Sequence, residues 1–472
     1  MSDNKQVVAD IDRSLYDFKD IENEKDFYRM EEGLNEETVL KVSEEKNDPE
    51  WMRDFRLKSL KLYNEIQVPD WGPSIDGLDM DNIVTYVRPN TERMHTDWED
   101  VPDDIKDTFE RLGIPQAERK SLAGVGAQYD SELVYHNVKD EVAKSGVVYT
   151  DIESALRGEY ADMIKEKFMK IVPPTDHKFA ALHGAVWSGG SFVYVPKGVH
   201  LDIPLQSYFR LNAKGAGQFE HTLIIVDEGA YLHFIEGCSA PKYNVANLHA
   251  GCVELYVGKN ATLRYSTIEN WSKNMYNLNT KRAVVEEGGK IEWVSGSFGS
   301  HVSYLYPMSV LNGKGARSEF TGVTFAGEGQ DLDTGTKVVH NAENTSSYVN
   351  TRSISKSGGI NTFRSSVVIG PNAHGSKSAV SCESLMVDNE SRSDTIPSMD
   401  VRCADADVGH EAKIGRISDE TVFYLMSRGL SEADARALIV RGFADNVSKE
   451  LPLEYAVEMN NLISLEMKGS IG

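Results

Sequence analysis

The pattern that decides the fold is repeated three times in the middle of the chain, at Val226–Leu232 (VDEGAYL), Val257–Leu263 (VGKNATL) and Val285–Ile291 (VEEGGKI). Two residues after each copy stands an aromatic residue, at Phe234, Tyr265 and Trp293. Looser copies start at a spacing of roughly 26 to 31 residues, near Leu311, Val339 and Ile369. This spacing is short for a propeller blade, and no helical pattern separates the strands. The repeat therefore predicts a β-solenoid, and we expect a parallel β-helix.

The composition changes twice along the 472 residues, which is too long a chain for one ordinary core. Up to about residue 175 the chain is acidic and patterned like helices and loops. From about 176 to 405 short runs rich in Val, Ile and Thr alternate with Gly and Asn turns, as in strands. After Ser418 the helical period returns. We predict an N-terminal helical or mixed domain over 1–175, a parallel β-helix core over 176–405 and a C-terminal helical domain over 406–472.

Helix signals are clearest near the two ends. Asp48 followed by Pro49 is typical of an N-cap and a first helical residue. An apolar stripe, favoured as internal packing over a docking surface, follows at Trp51, Phe55, Leu60 and Tyr63. Near the C-terminus, Ser431 begins a capping-box-like run. Gly429 and Gly442 punctuate the segment, Pro452 opens a last helix, and we expect these helices to cap the solenoid.

The charge and cysteine content exclude several classes of protein. A net charge of −23 and a pI near 5.0 oppose a nucleic-acid footprint or an anionic membrane surface, both of which need clustered Lys and Arg. The start of the chain, Met1–Lys5, lacks the apolar core of a signal peptide, and no apolar run reaches the length of a membrane span. Four dispersed cysteines do not form a disulfide framework. We expect a cytoplasmic protein with reduced thiols and protein partners.

The four cysteines differ in their surroundings. Cys238 stands where a strand gives way to a Gly and Pro turn, which predicts an accessible thiol. Cys252 lies in an alternating strand and is read as a small core hydrophobe. Cys403 is ambiguous. The pattern leaves Cys238 and Cys382 open between structural and reactive roles.

Metal-binding residue types are concentrated between Cys382 and Glu411. A thiol, an imidazole and a carboxylate, from Cys382, His410 and Glu411, are iron ligands. A closed structural zinc site is not expected, because the cysteines lie far apart without a Cys-x-x-Cys pair. Adjacent residues of a regular strand face opposite sides, so His410 and Glu411 can share one metal only at a bend, which Gly409 makes plausible.

Two further pairs of polar residues occupy single strand faces, Arg210 with Asn212 and Glu269 with Trp271. Lys281 could join either pair. If these faces point inward they indicate a polar passage, because a buried ion is costly without a partner. On pattern alone a surface position is favoured.

Several motifs together resemble one known family, the SufB/SufD family of the Suf iron–sulfur cluster assembly system, and its SufB scaffold branch in particular. They are Asp48–Met52 (DPEWM), Glu236–Pro241 (EGCSAP), Tyr265–Trp271 (YSTIENW), Asp333–Lys337 (DTGTK), Gly409–Ala412 (GHEA) and Glu450–Glu454 (ELPLE). The resemblance covers nearly the whole chain. It implies a right-handed parallel β-helix between helical terminal domains. It also implies a complex with the ATPase SufC on the C-terminal helices and with SufD, or a second SufB, along the β-helix.

The resemblance also implies roles for the candidate residues. Cys238 would accept persulfide sulfur from the cysteine desulfurase SufS through a carrier, SufE or SufU, with nearby positive charge favouring its thiolate. The sulfur path would be lined by Arg210, Asn212, Glu269, Trp271 and Lys281, which replaces the surface interpretation. Cys382 would hold a transient cluster, of the 4Fe-4S type, with iron supplied or supported by Glu411 and His410. A reduced flavin stays open as a source of electrons.

The chain departs from the family pattern at two positions and leaves two alternatives to test. Gly409 stands where a carboxylate is expected, and Glu269 where Gln is expected. The chain has no Walker-type loop, so we expect a non-enzymatic scaffold with ATP hydrolysis in SufC. The alternatives are a SufD-like structural subunit and a β-helix polysaccharide enzyme. The latter would use Asp331 and Asp333 with Lys337 on a solvent face.

Overall fold

The computed structural model describes residues 27–90, 95–103, 105–106, 122–241, 243, 245–451 and 453–468. Met1–Lys5 and Pro452, on which two expectations depend, lie outside these residues. Strands make up 41% of the structure and helices 23%. The chain is therefore mainly β, as predicted.

The strands are, in chain order, β1 (Phe27–Arg29), β2 (Val87–Pro89), β3 (Gly124–Tyr129), β4 (Glu132–Val138), β5 (Val148–Asp151), β6 (Ser191–Val195), β7 (Leu205–Arg210), β8 (Gly217–Gln218), β9 (His221–Val226), β10 (Tyr231–Ser239), β11 (Asn247–His249), β12 (Cys252–Val257), β13 (Thr262–Asn270), β14 (Met275–Asn277), β15 (Thr280–Val285), β16 (Lys290–Phe298), β17 (Val302–Leu305), β18 (Met308–Leu311), β19 (Arg317–Ala326), β20 (Asp331–His340), β21 (Ser346–Ser355), β22 (Ile360–Ile369), β23 (Lys377–Met386), β24 (Arg392–Val401) and β25 (Asp407–Arg416). The helices are α1 (Glu36–Glu45), α2 (Glu50–Glu65), α3 (Asp140–Lys144), α4 (Ile152–Arg157), α5 (Ala161–Lys167), α6 (Lys178–Val186), α7 (Asp419–Ser427), α8 (Glu432–Ser448) and α9 (Leu453–Lys468). Two short 3-10 helices lie at Met80–Asn82 and Trp98–Asp100.

Two long sheets coil around one core in a solenoid of about 8 turns. The first sheet has the order β25-β23-β21-β19-β16-β13-β10-β7-β3-β4, and its strands are parallel from β3 to β25. The second runs from β5 through β6, β9, β12, β15 and β18 to β20, then back through β17, β14 and β11 to β8, with β22 and β24 added on β20. This confirms the predicted parallel solenoid flanked by helices; its right-handed sense stays a prediction. The boundaries at 175/176 and 405/406 also stay predictions.

Each copy of the repeat forms the corner at which the chain passes from one sheet to the other. Val226 pairs with Val257, and Val257 with Val285, at the last residue of successive strands. The same register continues through Leu311, His340 and Ile369, so the copy predicted at Val339 is displaced by one residue. The corner residue has positive φ in coil after coil, at Gly229, Asn260, Gly288, Gly315, Asn344 and Gly375. Gly and Asn are the residues that adopt this conformation at least cost, which explains why the repeat carries them.

The cross-section of the solenoid changes at β20. Its first residues pair with β17 and its last with β18, so two faces that were separate in earlier coils join into one continuous strand. Earlier coils therefore have three strands, and later ones two strands of ten residues each. The inner aromatic column starts in the three-strand part, where Phe234 stacks on Tyr265 with ring centroids 5.9 Å apart.

Helix α2 corrects one local prediction. It begins at Glu50 with Pro49 as its N-cap, one residue later than expected. The Asp48 carboxylate accepts a hydrogen bond from Arg56 Nε at 2.6 Å and so does not cap the helix. Arg56 is fully buried, and a buried guanidinium needs that counter-ion. The apolar stripe packs against the interior of the protein, as predicted, and its Leu60 is buried.

The C-terminal helices do not cap the end of the solenoid as predicted. They lie along the outer side of the first sheet, where Val440 and Met459 belong to one apolar cluster with the outward-facing Ile268 and Val323. These sheet residues would otherwise expose apolar surface, which accounts for the placement. Ser431 Oγ accepts from the Asp434 amide, confirming the predicted start of α8. Gly442 lies inside α8 and does not end a helix.

Candidate functional site

Cys238 lies near the end of β10 and faces the interior. Inward residues alternate along the strand, and Phe234 of the inner column fixes the phase, so Glu236 and Cys238 point inward with it. The Cys238 side chain is buried, which contradicts the predicted accessible thiol. Its backbone pairs on both sides with β7 and β13, so the expected turn starts only beyond Ser239.

A buried ionic cluster adjoins Cys238. Lys281 Nζ lies 3.3 Å from Glu269 Oε1 and 3.5 Å from Glu236 Oε1. The hydroxyl of Tyr265 donates to Glu236 at 2.6 Å, and the Asn277 amide donates to Glu269 at 2.7 Å. Burial lowers the pKa of Lys281, but attraction to Glu269 and Glu236 outweighs it and raises that pKa overall. The cluster is thus an ammonium held between two carboxylates inside the solenoid.

The charges near Cys238 oppose its thiolate. Burial raises the pKa of Cys238 well above its usual value, and Glu236, Glu220 and Glu269 raise it further. Lys281 lowers it, but does not outweigh the three acids. The expected stabilisation of the thiolate by nearby positive charge is therefore wrong for this conformation.

The predicted path residues do not all reach this interior. Glu269 and Lys281 belong to the ionic cluster, and Trp271 shares an apolar cluster with Cys238. Arg210 pairs in register with Ser239, donating to its hydroxyl at 3.1 Å, and so lies on the sheet face opposite to Cys238. Asn212 follows the strand and lines an outer cleft of about 820 Å³.

A polar column runs through the interior from Glu236, two residues before Cys238 on the same strand face, to Cys382. Successive paired, inward-facing positions are Glu236, Thr267, Ser295, Gly322, Thr351 and Cys382. Five strand steps of about 4.8 Å separate the strand of Cys238 from that of Cys382, or roughly 24 Å. Small or hydroxylated side chains at these positions leave space in a core that larger residues fill elsewhere.

Two small cavities follow this column. One of about 20 Å³ is lined by Glu269 and Lys281, and one of about 40 Å³ by Cys382. Ser295 and Phe320 line both, so the cavities adjoin. Each volume is of the order needed for one or a few water molecules. The interior can therefore accommodate small polar species between the ionic cluster and Cys382.

Cys382 lies on β23, one coil before the last strand. Its Sγ is 3.8 Å from His410 Nε2, and the thiol contacts Thr395 Oγ1 at 3.8 Å. Burial raises the pKa of Cys382, while the Thr395 contact lowers it. Two ligands of one tetrahedral metal lie about 3.5 Å apart, so the sulfur and the imidazole nitrogen are close to a metal-binding separation.

Glu411 does not join Cys382 and His410. Strand β25 is regular across these residues and has no bend, so His410 faces inward and Glu411 outward. The Glu411 side chain is 63% exposed and its carboxylate lies 3.0 Å from Lys413 Nζ. Only the backbone oxygen of Glu411 contacts the thiol, at 3.6 Å. Gly409 shares the outward face and a side chain there would meet open space, so a carboxylate at that position would also point away from Cys382.

The remaining candidates are also placed. Cys252 is buried in an apolar cluster, which confirms the core interpretation, although its sulfur lies near His183 and His221. Asp333 is fully buried and binds Arg364 Nε at 2.7 Å. Because it does not lie on a solvent face, the arrangement expected for a polysaccharide enzyme is absent from the described residues.

Some residues of the interior were missed by sequence reasoning. Glu220 lies 2.5 Å from His249 Nε2, and His249 Nδ1 lies 2.7 Å from Asn277. The signal that could have found them is register: His249 and Asn277 are paired residues on neighbouring strands, one repeat apart. Glu236 was missed as a member of the ionic cluster, because the sequence shows it only as the first residue of the EGCSAP motif.

Apolar side chains are exposed on two outer surfaces. On the last coil these are Ile396, Met399, Val401 and Ile414, and on the C-terminal helices Phe423, Tyr424, Met426 and Leu438. Phe423 is the most exposed, at 72%. Clustered exposed apolar residues mark interaction surfaces. In the part of the chain that the structure describes, no helix is both long and apolar enough to cross a membrane.

Comparison with known proteins identifies relatives along the whole chain. Residues 209–443 match the family model of the SUF system FeS cluster assembly SufBD core domain. An iron–sulfur cluster assembly SufBD family protein of Staphylococcus aureus (strain MRSA252) is 50% identical over 465 residues, covering 98% of this chain and 99% of that protein. The iron–sulfur cluster assembly protein SufB of Bacillus subtilis (strain 168) is also 50% identical over 465 residues, with the same coverage.

Proposed function

This chain belongs to the SufBD family of iron–sulfur cluster assembly proteins, and we propose that it is a SufB-type scaffold, not an enzyme, on which a cluster is built and from which it is passed to acceptor proteins. The observation that carries the proposal is the interior polar column, whose paired positions run in register from Glu236, two residues before Cys238 on the same strand face, to Cys382. At one end Cys238 adjoins the ionic cluster of Lys281, as suits a thiol that accepts sulfur. At the other end Cys382 lies beside the His410 imidazole, as suits a thiol that holds a metal.

Sulfur enters at Cys238 in this proposal. A donor persulfide transfers its terminal sulfur to the Cys238 thiolate, forming a new S–S bond while the donor leaves as a thiolate. No net oxidation occurs in that exchange. Two electrons and a proton then convert that persulfide to the Cys238 thiol and hydrosulfide, and the hydrosulfide moves past Lys281 along the column to Cys382. The donor is the desulfurase SufS acting through SufE or SufU.

The cluster forms at Cys382 with His410 as the second donor. Each sulfane sulfur needs two electrons to become sulfide, and a reduced flavin is the proposed source. Mixed thiolate and imidazole ligation suits a cluster that must be released, here of the 4Fe-4S type. Glu411 would reach the iron only if β25 twists when a partner binds, because its carboxylate points outward.

Both thiols are buried, so the closed chain needs help to exchange sulfur with a donor. We propose that this help comes from partners in the cytoplasm. SufC binds the exposed apolar residues of the C-terminal helices, around Phe423, and its ATP hydrolysis moves the scaffold. SufD, or a second copy of this chain, pairs with the last coil, where Ile396 and Ile414 are exposed.

Anaerobic reconstitution with iron and a sulfur donor tests the proposal. Cys382→Ala is expected to lower bound iron and acid-labile sulfide about tenfold or more, because it removes the thiolate ligand. Cys252→Ala, which removes a buried thiol outside the column, is the matched control. Equal binding by Cys382→Ala and the native chain would reject Cys382 as the assembly site. If Cys382→Ala also supported cluster assembly in the full complex, the SufD-like structural role would replace the scaffold.

A further inference from the structure

A second set of metal-binding side chains lies outside the column, at the last corner of the solenoid. His374 stands between β22 and β23, while Cys403 and Asp405 stand one coil later, between β24 and β25. Cys403 Sγ lies 3.3 Å from His374 Nδ1 and 2.9 Å from Asp405 Oδ1, and the latter two atoms are 3.1 Å apart. One atom from each residue therefore forms a compact triangle.

The triangle has nearly the dimensions of a metal site. Ligand bonds of about 2.0–2.3 Å at tetrahedral angles place ligand atoms about 3.3–3.6 Å apart. The two separations that involve His374 are shorter by about 0.2 Å, and the Cys403–Asp405 separation is shorter by about 0.6 Å. The backbone already orients the carboxylate, since the Gly375 amide donates to Asp405 Oδ2 at 3.2 Å.

Access and charge also suit an ion. The His374 and Asp405 side chains are 62% and 57% exposed, so an ion can enter from solvent and keep an open coordination position. The neighbouring Arg402 is paired with Asp400 and does not leave a free cation beside the site. In the metal-free chain the Cys403 thiol donates to Asp405, and that proton would leave to solvent when a metal binds.

We propose that His374, Cys403 and Asp405 bind one divalent first-row transition metal ion, Fe²⁺ or Zn²⁺, which clamps the last two coils together. Thiolate, imidazole and carboxylate form a donor set of mixed softness that suits these ions and disfavours Mg²⁺ and Ca²⁺. The site is separate from Cys382, which lies five residues into β23, roughly 17 Å from its first residue. It does not depend on the sulfur route proposed above.

Anaerobic titration of the full chain with Co²⁺ tests the site, because a thiolate bound to Co²⁺ gives a charge-transfer absorption band. In a background that carries both Cys382→Ala and Cys252→Ala, which removes the other two thiols that lie close to an imidazole, we expect a band that saturates at one Co²⁺ per chain. Adding Cys403→Ser should abolish it, and adding His374→Gln should weaken Co²⁺ binding about 10- to 100-fold. Competition with Zn²⁺ and with Fe²⁺ then shows which ion displaces Co²⁺ at the lower concentration.

Two results would overturn the proposal: no thiolate band in the chain that carries Cys382→Ala and Cys252→Ala, or a band that persists there after Cys403→Ser. Circular dichroism checks that the variants fold. If Cys403→Ser does not fold, alkylation of the native chain replaces it. Zn²⁺ should then protect Cys403 from iodoacetamide, as read by peptide mass spectrometry, and unchanged labelling would reject the site.

Discussion

Cys238 and Cys382 face the same interior, yet their surroundings differ in kind. Around Cys238 the near neighbours are ions, with Lys281 between Glu236 and Glu269. Around Cys382 they are the Thr395 hydroxyl and the His410 imidazole, and neither belongs to an ion-paired cluster. Position along the solenoid, not strand pattern, therefore sets the chemistry of these two thiols.

The difference has a structural cause. Cys238 lies in the three-strand part, where strands on three sides bring side chains toward one point and ions can pair away from water. Cys382 lies in the two-strand part, one coil from an end whose strands are largely exposed. A buried ionic cluster can hold a polar species in place, whereas a site near an open end can exchange its contents with a partner.

Supplying sulfur in two forms should separate the roles of Cys238 and Cys382 most strongly. With SufS and its carrier as the donor, Cys238→Ala should slow cluster formation about tenfold or more, because the entry thiol is missing. With inorganic sulfide the same variant should assemble cluster at the native rate. The readout is the growth of iron–sulfur absorption together with acid-labile sulfide.

Cys382→Ala is the matched variant for that experiment, since it should fail with both sulfur sources. If Cys238→Ala also fails with inorganic sulfide, the two thiols do not divide the work between entry and assembly. If it succeeds with both donors, sulfur enters elsewhere.

The ionic cluster gives the next largest effect, this time on stability. Lys281→Met should destabilise the chain by about 3–5 kcal/mol, because it leaves Glu236 and Glu269 buried without their counter-ion. The midpoint of urea unfolding measures the change. Lys413→Met removes the exposed pair with Glu411 near the other thiol and should leave that midpoint unchanged.

A triple variant sharpens this result. Lys281→Met combined with Glu236→Gln and Glu269→Gln should recover much of the lost stability, because no unpaired charge remains. If Lys281→Met alone is as stable as the native chain, the two carboxylates are protonated or hydrated in solution, and the cluster does not hold an ammonium as described.

The solenoid itself could be predicted because its signal is local and repeated. The turn at Gly229, Asn260 and Gly288 needs a residue that accepts positive φ, and this requirement is visible in the sequence. The course of the C-terminal helices could not be predicted, because it depends on which outward residues of distant strands need cover. The start of helix α2 lies one residue later than predicted, because Asp48 pairs with Arg56 of that helix and does not cap it.

The site was predictable in its residues more than in its geometry. Strand alternation correctly predicts that the His410 and Glu411 side chains point to opposite faces of a regular strand. Sequence alone could not show that the strand has no bend at Gly409. Arg210 and Asn212 were taken as one pair, yet the strand ends at Arg210 and the alternation ends with it. His374 and Asp405 were missed because they are 31 residues apart and meet only through the coil.

A histidine at the corner of the solenoid, the last residue of β20, gives a smaller, pH-dependent effect. His340 is buried against the hydroxyls of Thr345 and Ser347, and burial lowers its pKa to about 4. Because the folded pKa is below the unfolded one of about 6.5, its contribution to stability is complete above pH 6.5 and is lost as pH falls. By pH 5 the loss should be about 2 kcal/mol.

His340→Gln isolates that contribution, because glutamine can contact both hydroxyls without titrating. The difference in unfolding midpoint between the native chain and this variant should shift in favour of the variant between pH 7.5 and pH 5. A difference that stays constant over this range would show that His340 keeps its usual pKa, and that this corner of the interior is open to water.

The outward face of β25 beside Cys382 should contribute least to metal binding. Glu411→Gln should change the iron and sulfide bound by the isolated chain by less than about twofold, because its carboxylate points outward and meets Lys413. His410→Gln is the matched variant on the inward face and should lower bound iron about tenfold.

Reconstitution of both variants, first alone and then with the partner subunits, separates two cases. A loss in Glu411→Gln only when partners are present would mean that β25 twists on pairing and brings the carboxylate to the metal. A comparable loss in the isolated chain would contradict the outward orientation, and the distinction between the two faces of β25 would fail.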